Sequence, residues 1–156
     1  MANRIHDIEV ASQIGTYSDA VEVPANARWL STAGTPGLAP DGSLAPDITG
    51  QAEAAWGHIV AMLEKAGMTI GDVVKVTQFL MRADDIPAYA RVRAKFLGAA
   101  RPASTLLVVP ALVRRDFLLE VEVVAAKACG RASRIRPAIT CESLSGCTAS
   151  ASASAV

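Results

Sequence analysis

Hydrophobic and polar positions divide the chain into a series of short periodic segments. Residues 19–24 (Asp-Ala-Val-Glu-Val-Pro) alternate in a strand-like way, and the residues from Arg28 to Ala33 read as a second strand. Pro-Ala-Asn-Ala at 24–27 reads as a turn, so 19–33 is expected to be a hairpin. Gly34 to Asp47 contains three glycines and three prolines and is expected to be an irregular loop. Ile48, Ala52, Ala55, Ile59 and Leu63 then recur every three or four residues, the spacing of one buried helical face. Asp47 is placed to cap that helix and Gly67 to end it. Gly57 lies inside it, and close packing against a sheet would explain a glycine there.

Val73 to Met81 is rich in β-branched residues and predicts a buried strand. Asp84, Asp85 and Pro87 open a second helix, where acids meet the positive helix end and proline fits the first turn. Its apolar face is Ile86, Tyr89, Val92 and Phe96. Arg91, Arg93 and Lys95 are polar and late, and Gly98 closes it. Ser104 to Val109 predicts another strand. Phe117 to Ala126 predicts the last, with Glu120 and Glu122 on the side opposite Leu119 and Val121.

Hairpin, helix, strand, helix, strand, strand is the order of an α+β domain: a two-layer mixed sheet with both helices on one face. The run Leu106-Leu-Val-Val109 is apolar on both sides. The open face of the sheet is therefore expected to be covered by another subunit.

Charge changes this picture in one respect. The chain has 156 residues and no net charge. Up to Lys127, twelve Lys and Arg face fourteen Asp and Glu, a net of −2; Ala128 to Val156 carries +2 and all three cysteines. Residues 1–127 are thus expected to form the folded domain, and 128–156, which end in Ala-Ser repeats, a low-complexity disordered tail. The acidic balance of the domain speaks against nucleic acid as a partner. No run of roughly 18 apolar residues suggests a membrane span, and the start has no basic-then-apolar leader, so a cytoplasmic location is expected. Cys129, Cys141 and Cys147 lack the close pairing of a zinc site. His6 and His58 have no third partner in sequence and read as a surface and a helix-face histidine; Asp84-Asp85 reads as helix capping.

In this setting Gly15-Thr-Tyr17-Ser18-Asp-Ala20 resembles the Gly-Pro-Tyr-Ser-x-Ala opening of the Rid (reactive intermediate deaminase, YjgF-like) family. The helix over 47–66, Asp72-Val-Val-Lys75, the acidic pair 84–85, Arg101-Pro-Ala103 and Glu120-Val-Glu122 follow in the family's order, so the resemblance covers roughly 12–127. It implies a chorismate-mutase-like fold and a homotrimer with sites between subunits. It also implies cofactor-free, metal-free hydrolysis of small imines and enamines to a keto acid and ammonia. By the same resemblance Glu120 places the water and Tyr17 belongs to the site. Ser104, Thr105, Thr32 and Ala33 fall on substrate-binding positions.

Three positions depart from the family pattern. Ser104 stands where the family has an arginine after Pro-Ala, Ala33 replaces a serine, and Ala90 an asparagine. The 110–119 loop is one residue longer. A bidentate arginine is the main attraction for a substrate carboxylate, and serine does not reproduce its fork. The departure implies an altered substrate. Arg101, Arg114 and Arg115 flank the affected strand; each is by default surface charge, and one of them reaching the cleft would restore the lost charge. Two other readings stay open: a non-catalytic metabolite-binding or chaperone-like trimer, and, weakest, an RNA-binding or RNA-cleaving protein.

Overall fold

The computed structural model describes residues 2–129. The elements in chain order are β1 (Arg4–His6), β2 (Ala20–Glu22), β3 (Ala27–Ser31), α1 (Ile48–Lys65), β4 (Val73–Leu80), α2 (Ile86–Leu97), β5 (Ala103–Val108) and β6 (Leu119–Ala128), with three short 3-10 turns between them. Four strands form the main sheet in the order β3-β6-β4-β5. β4 and β5 run parallel, joined through α2, and β6 is antiparallel to both β3 and β4. The fold is α+β, with two helices packed on a mixed sheet. The segment expected to be a disordered tail lies outside the described residues, apart from Ala128 and Cys129. No helix among the described residues is long and apolar enough to cross a membrane.

Local chemistry explains both helices. Asp47 accepts a hydrogen bond from the Gly50 amide at 2.8 Å and so caps α1. Gly67 follows α1 with a φ of 66°, the left-handed turn that glycine makes without a Cβ clash. The stripe of Ile48, Ala52, Ala55, Ile59 and Leu63 is buried together with Trp56. Trp56 stacks on Phe96 of α2, ring centres 6.2 Å apart, which ties the helices to each other. Pro87 sits in the first turn of α2, and the Gly98 amide closes its end on Ala94 O.

Strand pairing departs from expectation at the N-terminus. Residues 19–33 do not pair as a hairpin. β2 instead pairs with β1 in a small antiparallel sheet, while β3 joins β6. Alternation marks a strand without naming its partner, and β1 has no apolar pattern to reveal it, because all three of its residues are exposed. Gly57 also differs. It faces solvent, and a Cβ built on it meets nothing within 4 Å, so packing against the sheet does not account for it.

The register sorts side chains between the two sheet faces. Val123, Val76 and Ser104 form one cross-strand row, and Val121, Gln78 and Leu106 the next; both rows face the helices. Glu120, Phe79 and Leu107 form a row on the opposite face, as do Glu122, Thr77 and Thr105. That open face and its edge leave Trp29, Leu107 and Val108 exposed.

Candidate functional site

A pocket of about 350 Å³ opens at the β5 edge, between the end of the sheet, α2 and the segment 14–17. Ile14, Ile86, Ala90 and Leu106 supply its apolar walls. Tyr17, Gln78, Tyr89, Arg93 and Ser104 supply its polar groups.

Tyr17 reaches the pocket because its neighbour is fastened to β5. The buried Ser18 donates from Oγ to Arg101 O at 2.6 Å, and its amide donates to Pro102 O at 3.3 Å. Asp19 fixes the preceding turn by accepting from the amides of Ile8 and Ala11, each at 2.9 Å. Segment 15–19 therefore lies along β5 as a short parallel bridge, Ser18 opposite Ala103. Gln78 occupies an inward position of β4 and is 1% exposed. Its Nε2 donates to Thr105 O at 2.8 Å and to Ser104 Oγ at 3.0 Å, which orients the serine hydroxyl.

Tyr89 and Arg93 are one helical turn apart on α2. Burial holds the Tyr89 phenol well above its usual range, with the nearby Trp56 indole offsetting part of that. Burial lowers the Arg93 guanidinium from its ordinary value, and the neighbouring Arg101 charge adds to this. Trp56 Nε1, Tyr89 Oη, and Arg93 Nε and Nη2 are all buried without a hydrogen-bond partner among the described residues.

The expected site residues fall into two groups. Tyr17 and Ser104 share the pocket. Glu120 does not line it and lies on the other face of the sheet. There its carboxylate abuts the 32–35 segment: a Cβ on Gly34 would stand 2.7 Å from Glu120 Oε2. Thr32 belongs to that segment and accepts the Val123 amide on its Oγ1 at 3.0 Å, and the Ala33 carbonyl accepts from Thr35 Oγ1 at 3.0 Å. Thr105 is on the open face, where its hydroxyl accepts from Lys75 Nζ.

Neither flanking arginine of the expected set lines the pocket. Arg101 Nη1 is held by the carbonyls of Gly98 and Ala100, both at 3.0 Å, and Arg114 pairs with Asp116 across its own loop. Arg115 is exposed and also stands outside the lining. The pocket arginine is Arg93, which reading it with Arg91 and Lys95 as one polar group obscures. Its spacing of four from the inward-facing Tyr89 is the signal for it. Gln78, a polar residue within an otherwise apolar inward row, is the second residue that periodicity could have marked.

Comparisons with known proteins agree with this architecture. The family model described as Endoribonuclease L-PSP matches residues 8–127. A RutC family protein of Pyrococcus abyssi is 34% identical over 116 residues, which cover 73% of this chain and 88% of that protein. The 2-iminobutanoate/2-iminopropanoate deaminase of Salmonella typhimurium is 27% identical over 131 residues, 81% of this chain and 99% of the relative. The crystal structure of YyfB from Yersinia pestis, a protein of unknown function in the conserved Rid family, superposes with a TM-score of 0.72 at 27% identity. That match covers 81% of this chain and all of the other.

Proposed function

The chain belongs to the Rid (YjgF, endoribonuclease L-PSP) family, and on that premise we propose that it is a cofactor-free hydrolase of the C=N bond in a small imine or enamine. The observation that carries the reading is the meeting of Tyr17 and Ser104 at one pocket that also holds an unpaired arginine. The match to an imine deaminase over 81% of the chain supports it.

In this reading the reaction needs a nucleophilic water and a held electrophile. Glu120 takes a proton from the water as its oxygen adds to the imine carbon, and that proton is returned to the imine nitrogen, giving a carbinolamine. Collapse of the carbinolamine releases ammonia and leaves a ketone. Tyr17 and Ser104 present hydroxyls that orient the substrate from the pocket side. Within one chain Glu120 and the pocket lie on opposite faces of the sheet. The complete site is therefore formed between subunits of a homotrimer, with the pocket of one facing Glu120 of the next. The exposed apolar side chains at the open face, Trp29 and Leu107 among them, suit such a contact.

The test is keto-acid release from freshly generated 2-iminobutanoate or 2-iminopropanoate. The proposal expects acceleration by the full chain and its loss in Glu120→Gln. Binding without turnover is the second reading, favoured by the separation of Glu120 from the pocket in a single chain; saturable binding of a keto acid with no acceleration would establish it instead. RNA remains the weakest candidate, given the net of −2 on residues 1–127.

A further inference from the structure

Arg93 has the chemistry of a ligand-binding group and no structural work that explains it. It projects from α2 into the wall of the pocket. Its Nε and Nη2 lie on one edge of the guanidinium, and both are buried without a partner among the described residues. The same edge elsewhere in this chain grips carboxylates. Arg82 donates from Nε to Asp85 Oδ2 at 2.8 Å and from Nη2 to Asp85 Oδ1 at 3.2 Å. Arg114 sets the same two nitrogens against both oxygens of Asp116.

Among the described residues, the surroundings of Arg93 offer neutral polar groups and no anion. Tyr89 and Tyr17 lie near its charge, and Gln78 and Ser104 share the pocket; all four are neutral groups. No Asp or Glu lines the pocket among the described residues. A buried cation without a counter-ion is costly, and an anion that enters the pocket offsets that cost. Because no hydrogen bond to protein holds the fork, it can turn toward the lumen without breaking one.

We propose that Arg93 is the residue that binds the carboxylate of the substrate, supplying from α2 the fork that residue 104 on β5 does not. The ligand class is a small 2-imino or 2-keto acid, with its carboxylate on Arg93 and its apolar side chain against Ile14, Ile86 and Leu106. The inference rests on reading this pocket as the substrate site.

The experiment is calorimetric titration of the full-length protein with 2-oxobutanoate and with its uncharged amide, alongside turnover of 2-iminobutanoate. Arg93→Gln is expected to weaken 2-oxobutanoate binding on the order of ten-fold or more while changing amide binding little. Arg93→Lys, which keeps the charge and loses the fork, should fall between. Arg91→Gln, exposed on the same helix, should match the wild type. Thermal melting should show Arg93→Gln at least as stable as the wild type, since it replaces a partly buried cation without a counter-ion by a neutral group. Unchanged 2-oxobutanoate binding in Arg93→Gln, an equal loss for the amide, or no 2-oxobutanoate binding by the wild type overturns the proposal. Arg93-dependent binding without turnover would sink the hydrolase reading and leave this one standing. Turnover with an unchanged KM in Arg93→Gln would do the reverse.

Discussion

The carboxylate of Glu120 rests against Gly34 so closely that a Cβ at position 34 would stand 2.7 Å from Oε2. Gly34 has no left-handed backbone to preserve, so Gly34→Ala acts on the carboxylate rather than on the fold. It is expected to lower kcat on the order of ten-fold or more, as misplaced proton acceptors do. Melting by circular dichroism should stay within a few degrees of the wild type. A kcat equal to the wild type would show that the position of Glu120 is not critical.

Gln51 is a structural counterpart. It is 2% exposed and makes three hydrogen bonds: to Ala45 O at 3.0 Å, to Asp116 O at 3.1 Å and from the Leu118 amide at 2.9 Å. One side chain thereby ties the loops before α1 and before β6 to the helix. Gln51→Leu leaves those three backbone groups without it and should cost about 2–4 kcal/mol in urea denaturation.

Gly57 offers a gain. It is exposed in the middle of α1, and a Cβ there meets nothing within 4 Å. Gly57→Ala should stabilise the protein by about 1 kcal/mol, raising the melting temperature by a few degrees.

Tyr89 gives a pH dependence with a definite sign. Burial raises its folded-state pKa above the ordinary value of 10.0. The folded chain then holds the phenolic proton after the unfolded chain has lost it. This contribution to stability is complete below pH ~10 and declines as pH rises further. Tyr89→Phe should flatten that alkaline decline, measured as the difference between the two proteins in denaturant midpoints from pH 9 to 11.

Much of the architecture can be read from periodicity. Both helices and the strands β4, β5 and β6 follow from apolar spacing, caps and breakers, because each buries one face on a common core. The N-terminal pairing cannot be read in this way. β1 is three exposed residues, and nothing in its pattern tells β2 to choose it over β3. The site is legible only in part for a similar reason. Resemblance draws attention to Tyr17, Ser104 and Glu120, yet it is the strand register that sets Ser104 and Glu120 on opposite faces. Arg93 looks in sequence like its exposed neighbours Arg91 and Lys95, and only its spacing of four from Tyr89 marks it as a pocket residue.

The central claim is that one catalytic site combines the pocket of one subunit with Glu120 of another. It is tested most directly by mixing two disabled proteins. Ala90→Trp fills the pocket from an exposed helix position, and Glu120→Gln removes the proton acceptor. Each alone should be inactive on 2-iminobutanoate. After co-refolding in equal amounts, with mixed assemblies verified by mass, the account predicts recovery to about a quarter of the wild-type rate, the share of sites with two intact halves under random mixing. Mixed assemblies that recover no activity would contradict it.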